Sequence, residues 1–568
     1  MAIAQTSGSE NIKSSGQETN TGALSILIIV FFFWGFIAAG NSIFIPFCKH
    51  YFKLDQFQSM LVDFAFYTAY YFGALILFAY SVFTGSDLIG KWGYKRSIVY
   101  GLLFSALGAV AMILAVNGNT FYGMLIGLFI VALGFSVQQT AANPFAISLG
   151  DPATGSGRVT LGGGVNSFGT TIGPIVIALA LFGTTAAVSD EQIQNLGLSK
   201  VVLLYSCVGS LFVIAAAIFY FSKKVPAGIC SEKMEKSHKA LFGLLIMSAL
   251  LIGMFIPVFS SYKINFDALS ESAKHALESE RIKWLFGALA VVMIGLPLFY
   301  YFAKKNPEGW GAMKYPQLVA GMLAIFVYVG VEVTIGSNLG ELLKHPAFGS
   351  LQASEATPYI SMYWGSLMIG RWAYAVSVFK MPKSRMILLQ IIVPILAFFL
   401  LIAVGVIAGY NMQHLYFYII CVLIQIAAAN FTKNKPVFTL LVFSLLGVIG
   451  MIIGIYTTGT IAIYAFISGG LLCSVMWPCI FSLGTAGLGK YTTQGAAFLV
   501  MMILGGGIIP PLQAKISDYW QSGSTIEGSG IHNSYWVAAI CFGVIAVLTV
   551  IMKKTLLKQG IDYDANVS

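Results

Sequence analysis

The sequence predicts an all-α integral membrane protein, and three observations carry that expectation. Of its 568 residues, 58% are hydrophobic and only 10% charged, whereas a soluble domain carries about 25% charged residues. The apolar residues fall in runs of the length a bilayer-spanning helix needs, about 20 residues, separated by short polar connectors. Lysine and arginine are distributed unevenly between alternate connectors, which is the signature of membrane orientation.

The first 20 or so residues, "MAIAQTSGSENIKSSGQETN", are polar and rich in Ser, Gly and Gln, and read as a disordered cytoplasmic tail. The apolar segment that follows is too long for a signal-peptide core and lacks a small-residue cleavage site, so it is expected to stay as a membrane helix. Spans are expected near 23–47, 58–83, 97–116, 120–149, 158–183 and 200–222, then 240–259 and 283–303 after a charged connector. Further spans are expected near 316–339, 357–379, 385–409, 413–430, 437–457, 460–485, 493–514 and 534–552, sixteen in all. With the N-terminus in the cytoplasm, "GKWGYKR", "SKKVPAGICSEKMEKSHK", "AKKNPEGWGAMK", "KMPKSR", "TKNK" and "KKTLLK" all fall inside, while "SDEQ", "NFDALSESAKHALESE" and "SDYWQSGSTIEG" fall outside. One span more or fewer would invert half the loops and spoil this positive-inside pattern.

Composition also excludes. The net charge of +10 forms no basic stripe or recognition motif, so nucleic acid is not an expected partner. The seven cysteines are scattered singly, without CxxC and without metal-ligand spacing to the six histidines, so neither a disulfide framework nor a metal centre is expected. No HExxH, GxSxG or acid–histidine pair lies at membrane depth, which argues against an enzyme. The connector 223–239 divides the chain into two membrane halves. Two halves with a site between them near the midplane is a common transporter plan, although composition alone equally allows a channel, a receptor or a membrane-embedded enzyme.

Polar groups at membrane depth are the informative minority, because each is costly in hydrocarbon unless satisfied. On the first span Trp34, Ala38, Asn41 and Ser42 share a helical face, with Pro46 beyond them. In "FSVQQTAANPFAISLG", Gln139 and Asn143 are four apart on one face, one turn after Phe135, and Pro144 follows as an expected hinge. In "GGGVNSFGTTIGP", Asn166 and Thr170 share a face, and Gly162 to Gly164 permit close helix approach. "YVGVEVTIGSN" carries Glu332 well inside a span, with Tyr328 a turn away and Asn338 near its outer end. "MYWGSLMIGRW" sets Trp364 and Arg371 on one face, and later segments add Trp477, Pro478, Pro510, Pro511 and Gln513. Glycines and prolines here also serve packing and kinks, amides serve as interhelical glue at about 0.6–2 kcal/mol, and indoles pack. A midplane carboxylate such as Glu332 costs about 2.5–3.5 kcal/mol and is a functional candidate by default. Asp63, about five residues into the second span, is a second acid at membrane depth. Amides, acids and indoles without a basic cluster suit a neutral polyol, whose hydroxyls hydrogen-bond amides and carboxylates while its apolar ring faces stack on indoles.

The segments "WGFIAAGNSIFIPF", "QTAANPFAISLG", "NSFGTTIGP", "YVGVEVTIGS", "WPCIFSLG" and "FLVMMILGGGIIPPLQ" resemble the fucose–galactose–glucose proton symporters of the major facilitator superfamily, in the order that family has them. The Glu332 segment is more similar to the glucose/galactose branch than to the fucose branch. The resemblance implies two six-helix bundles around a central sugar cavity worked by alternating access, so about four of the sixteen spans are extra: 240–259 with 283–303, and 413–430 with 437–457. The implied organisation is a cytoplasmic tail 1–22, a first bundle 23–222, a connector 223–315 with two extra helices, a second bundle 316–556 with an inserted pair near 413–457, and a tail 557–568. The implied cavity residues are Asn41, Gln139, Asn143 and Asn166 from the first half, and Glu332, Asn338, Trp364, Trp477 and Gln513 from the second, with Arg371 as a gating or structural charge.

Departures from the family pattern shape the expected mechanism. Where fucose permeases carry an acid after the first-motif asparagine, this chain has Ser42, and where they carry a glutamate before the threonine of TAANPF, it has Gln139. A family glutamine aligns with Gly163, and Gly90 stands where an aspartate is common in the loop "GSDLIGKWGYKR". Ser42 and Gln139 do not titrate, so coupling is expected at Glu332, with Asp63 as a second candidate. The expectation is import of a neutral hexose, glucose/galactose-like or fucose, across a bacterial inner membrane with both termini cytoplasmic. It needs no cofactor, with H+ or Na+ as the coupling ion, and its partners are the sugar and membrane lipid. The alternatives are an uncoupled facilitator and a transport-inactive sugar sensor.

Overall fold

The structure, a computed structural model, describes residues 18–52, 56–151, 154–182, 197–229, 235–264, 269–379, 381–433, 435–522 and 524–564. The described residues form helices and connecting turns without strands. In chain order the helices of the first half are α1 (Thr21–Tyr51), α2 (Gln56–Thr84), the short α3 (Leu88–Trp92), α4 (Tyr94–Asn117), α5 (Phe121–Ser148), α6 (Gly155–Phe182) and α7 (Leu198–Phe221). A hairpin follows, α8 (His238–Ser261) and α9 (Glu271–Lys305). The second half holds α10 (Pro316–Leu343), α11 (Ala353–Ala375), α12 (Lys383–Ile407), α13 (Ile419–Thr432), α14 (Pro436–Tyr456), α15 (Gly459–Cys473), α16 (Met476–Thr485), α17 (Thr492–Met501), α18 (Gly505–Ser522), α19 (Ser529–Ser534) and α20 (Trp536–Lys558).

Thirteen helical stretches among the described residues are long and apolar enough to cross a membrane, and the chain is a multi-pass membrane protein. The sixteen expected spans each coincide with a helical rod, two of which are broken. One parts at Ser474 and Val475 between α15 and α16, just before Pro478, whose ring nitrogen cannot donate to the preceding turn. The other passes through a 3-10 turn at Met502–Leu504, ahead of three consecutive glycines and Pro510–Pro511. Pro144 does not break its helix: α5 runs through it to Ser148.

Burial sorts the rods. In α10, and in the α15–α16 and α17–α18 rods, 89% of the apolar window is buried, against 22% in α9 and 33% in α12. The outer surface is apolar, with Phe83, Leu114, Phe242 and Ile294 all more than 60% exposed, as a lipid-facing surface requires. Small residues let the first-half helices close up. A Cβ on Gly101 would lie 2.6 Å from Gln138 Cγ, so α4 and α5 meet backbone to backbone there. On Gly35 it would run into the backbone carbonyl of Asn166, which fixes how closely α1 approaches α6.

Both ends of the described chain lie on one face. Asn20 N donates to Leu149 O at 2.8 Å, and Arg158, which follows at the start of α6, sits beside Tyr563. Asp564 accepts from the amides of Val437 and Phe438 at 3.1 and 3.2 Å, capping α14 from the chain's own tail. This is the parity that an even number of crossings requires.

Candidate functional site

Between the two halves lies a cavity of about 230 Å³, small for a ligand site and sized for a small solute. The first half supplies Phe31, Trp34 and Gly35 from α1, Phe66, Tyr67 and Tyr70 from α2, Gln139 and Asn143 from α5, and Val159, Thr160, Gly163 and Asn166 from α6. The second half supplies Tyr328, Val329, Glu332 and Val333 from α10, Trp364 and Arg371 from α11, Trp477 and Pro478 from α16, and Ile503.

The three polar residues of α5 that share the stretch around Thr140 have separate fates. Gln138 faces the packed interior, where its Oε1 accepts from Trp34 Nε1 at 2.6 Å and its Nε2 donates to Ser105 Oγ at 3.1 Å, tying α1, α5 and α4 together. Gln139 turns to the cavity and donates weakly to Tyr70 OH at 3.4 Å. Asn143 uses its Nδ2 on the carbonyl of Gln139 at 3.0 Å. Its Oδ1 is buried on the cavity wall with no hydrogen-bond partner among the described residues, an acceptor held open toward a donor in the cavity. Asn166 donates to Phe31 O at 3.0 Å, so it braces α1 against α6 while lining the cavity.

Glu332 is the one carboxylate on the cavity wall among the described residues. It hydrogen-bonds Tyr328, one turn earlier, and its backbone carbonyl accepts from Tyr363 OH at 2.6 Å. Arg371 faces it, with Nη2 3.6 Å from Glu332 Oε1, the two side chains being 11% and 15% exposed. The same guanidinium crosses to the first half: Nη1 donates to Ser167 Oγ at 2.7 Å and to Gly163 O at 3.2 Å, while Nε holds Ser474 O at 3.1 Å where α15 ends. A Cβ on Gly163 would sit 3.4 Å from Arg371 Cδ, an ordinary van der Waals contact, so the arginine side chain packs directly beside this position. Next to it Trp372 donates to Gly164 O at 3.1 Å.

The halves also meet where Phe78 stands edge-on to Phe498 at 4.7 Å. Beyond that, Asp87 caps α3 through the amides of Ile89 and Gly90 and reaches Thr493 at the start of α17. Burial pushes the Asp87 carboxyl above its ordinary range, against these hydrogen bonds. These contacts lie between the cavity and the face that carries the termini, and they join the two halves there.

Of the residues singled out from sequence, Gln139, Asn143, Asn166, Glu332, Trp364, Trp477 and Arg371 are brought together on this wall. Asn338 and Gln513 are placed elsewhere, in a buried network. Gln513 accepts from Thr334 Oγ1 at 2.9 Å and donates to Ser534 Oγ at 3.0 Å, and Asn338 donates to Thr334 O at 2.8 Å. The side chains of Asn41 and Asp63 fall outside the described residues. Sequence reasoning passed over Tyr67, Tyr70 and Thr160 on the wall, and Ser167 and Ser474 behind Arg371. Ser167 had a signal, since it lies one turn after Gly163 on the same face of α6.

No protein-family model matches the chain. Over 543 residues it is 27% identical to a glucose/galactose transporter of Brucella abortus, covering 96% of this chain and 97% of that protein. Over 525 residues it is 24% identical to the L-fucose-proton symporter of Escherichia coli, covering 92% and 91% of the two chains. Among solved structures, a major facilitator superfamily transporter, FucP, in the outward conformation superposes with a TM-score of 0.58 at 21% identity, covering 93% of this chain and 98% of that one. A point variant of the E. coli fucose:proton symporter gives 0.57 at 20% identity, covering 94% of this chain and 99% of that one. The chain has the major facilitator fold, and in sequence it is similar along almost its whole length to sugar transporters.

Proposed function

We propose that this major facilitator chain is a proton-coupled importer of a neutral hexose, glucose/galactose-like or fucose, in a bacterial inner membrane, with both termini in the cytoplasm. The observation that carries the reading is the composition of the single wall described above. One carboxylate, an open amide acceptor and three indoles face a cavity between two bundles. The open Oδ1 of Asn143 accepts a sugar hydroxyl, Gln139 and Asn166 offer further amide groups, and Trp34, Trp364 and Trp477 present faces for the apolar side of a pyranose ring. The names of the relatives support the same solute class.

Coupling is assigned to Glu332. With Gln139 unable to titrate, Glu332 is the group on the described wall that changes charge, and its partner Arg371 also holds α6 of the other bundle. Protonation of Glu332 removes the counter-charge of a guanidinium that bridges the two bundles, so proton binding bears on a contact between them. This is the link between ion and conformation that symport requires.

The test is counterflow in proteoliposomes with D-glucose, D-galactose and L-fucose, repeated under separate proton and sodium gradients. Accumulation driven by a proton gradient, lost in Glu332→Gln while counterflow persists, is the expected result. Accumulation driven by sodium alone would replace the coupling ion. Counterflow without gradient-driven accumulation would make the chain a facilitator, and sugar binding without exchange would make it a sensor.

A further inference from the structure

We propose that the α8–α9 hairpin is a fixed flank of the second bundle along which α2 of the first bundle slides as the bundles rock. This rests on the alternating-access reading above and adds a role for the two helices between the bundles. The hairpin is fastened to α17 and α18 near both membrane faces. On the termini-bearing side, Gln494 of α17 donates to Ser237 Oγ just ahead of α8 at 3.2 Å, and accepts from Ala312 N just beyond α9 at 2.7 Å. At the opposite face, Glu278 of α9 meets Lys515 of α18 at 3.1 Å. The second oxygen of Glu278 takes Arg281 Nη1 at 2.5 Å, and Arg281 in turn donates to Ser261 Oγ at the end of α8 at 2.8 Å. Glu278 and Arg281 are 7% and 4% exposed. Pulling such a pair apart strands buried charge, so this fastening does not slide.

The contact with α2 is of another kind. Phe64 stands edge-on to Phe255 and Phe259 of α8, at 5.4 and 5.3 Å. Apolar contact of this sort is non-directional and re-forms after a shift. The polar contact is the hydroxyl of Tyr71, 2.8 Å from Ser248 Oγ and 3.3 Å from Leu244 O. Ser248 Oγ itself donates to Leu244 O at 2.7 Å, so both oxygens meet the hydroxyl at one place on α8, a neutral contact that costs less to break than a buried ion pair. Buried ion pairs on one side, and ring contacts with a neutral hydroxyl on the other, divide the hairpin between a bundle it travels with and a bundle it guides.

The experiment uses the full chain with its native cysteines replaced and counterflow retained. Cysteines at Tyr71 and Ser248, joined by a short bifunctional thiol reagent, are expected to cut counterflow at least about tenfold, because the sliding contact is frozen, and reductive release restores it. Cysteines at His275 and Tyr519, whose rings lie 4.5 Å apart across α9 and α18, joined in the same way, are expected to change counterflow by less than about twofold, because nothing moves there. Equal loss from both cross-links, or none from the first, overturns the proposal. Spin labels at exposed Ile76 and Phe242 (α2–α8) and at exposed Phe286 and Trp520 (α9–α18) separate failure of the flank from failure of the transport reading, since they need no sugar. The first pair is expected to show two distances and the second one. A second pair that moves overturns the flank even where counterflow proceeds. A silent counterflow assay with the expected distances removes the transport reading alone.

Discussion

Arg371 donates to Ser167 of the opposite bundle at 2.7 Å while its other amino group stands 3.6 Å from the Glu332 carboxylate. A guanidinium is a rigid planar fork, so what happens at one edge is felt at the other. Its remaining donors are taken by Gly163 O and Ser474 O, and Nη2 also reaches Tyr328 OH at 3.4 Å. The groups around the carboxylate are therefore Arg371 from α11, Tyr328 from its own helix, Tyr363 from α11 and Cys473 from α15. Arg371 is the cation in that set.

That arrangement makes the two charges interdependent. Glu332→Gln leaves a buried, unmatched guanidinium, a change that costs about 3–5 kcal/mol in buried pairs. Glu332→Gln with Arg371→Gln removes both charges and is expected to recover most of the lost thermal stability in detergent, while neither variant accumulates sugar under a proton gradient. A double variant no more stable than the Glu332→Gln single would show that the pair is not the source of the cost.

Asn143 offers a sharper test of the cavity. Its Oδ1 has no partner among the described residues, so the one hydrogen bond that removing the side chain breaks among them is that of Nδ2 to Gln139 O. Asn143→Ala is expected to weaken sugar affinity by about three- to tenfold, the worth of a neutral hydrogen bond of about 0.5–1.5 kcal/mol, with little change in thermal stability. Quenching of indole fluorescence reports the affinity, since three tryptophans line the same wall.

Much of this was legible in the chain. Run length and connector charge gave the rods and their parity, because a bilayer imposes one length on every span. The pairing of Glu332 with Arg371 was not legible, because it joins two helices whose register depends on packing. Residues four apart share a helix face, which is how Gln139 and Asn143 were found, yet a face toward the interior is not always a face toward the cavity. Gln138, adjacent to Gln139, and Gln513, in a later helix, show the difference: both are interior amides, and both are saturated by neighbours.

Gln513 therefore separates from the cavity residues by experiment. It is fully buried, with Thr334 donating to its Oε1 and its Nε2 serving Ser534. Gln513→Leu takes the acceptor from the buried Thr334 hydroxyl, while Ser534 keeps its bond to Ile531 O; at a cost of about 1–3 kcal/mol, it is expected to lower the melting temperature while leaving sugar affinity at the wild-type value. Loss of affinity at unchanged stability would instead bring this residue to the substrate.

The connector carries a pH dependence of known direction. Glu235 lies outside the membrane spans, where burial works to raise its carboxyl, but hydrogen bonds from Tyr491 OH and Gly309 N and the nearby Lys314 outweigh it and hold the group below its ordinary 4.5. The contacts are 2.7 Å to Tyr491, 2.6 Å to Gly309 N and 3.3 Å to Lys314 Nζ. A carboxyl lowered in the folded state binds fewer protons there than in the unfolded chain, so folding gains from it as pH rises. The stabilisation is fully present above pH 4.5 and is lost as pH falls through the lowered folded value. Glu235→Gln removes the titration, so the melting-temperature gap between wild type and variant is expected to be widest near neutral pH and to close on acidification below 4.5. A gap that widens as the solution is acidified would mean that burial, and not the tyrosine, amide and lysine, governs this carboxylate.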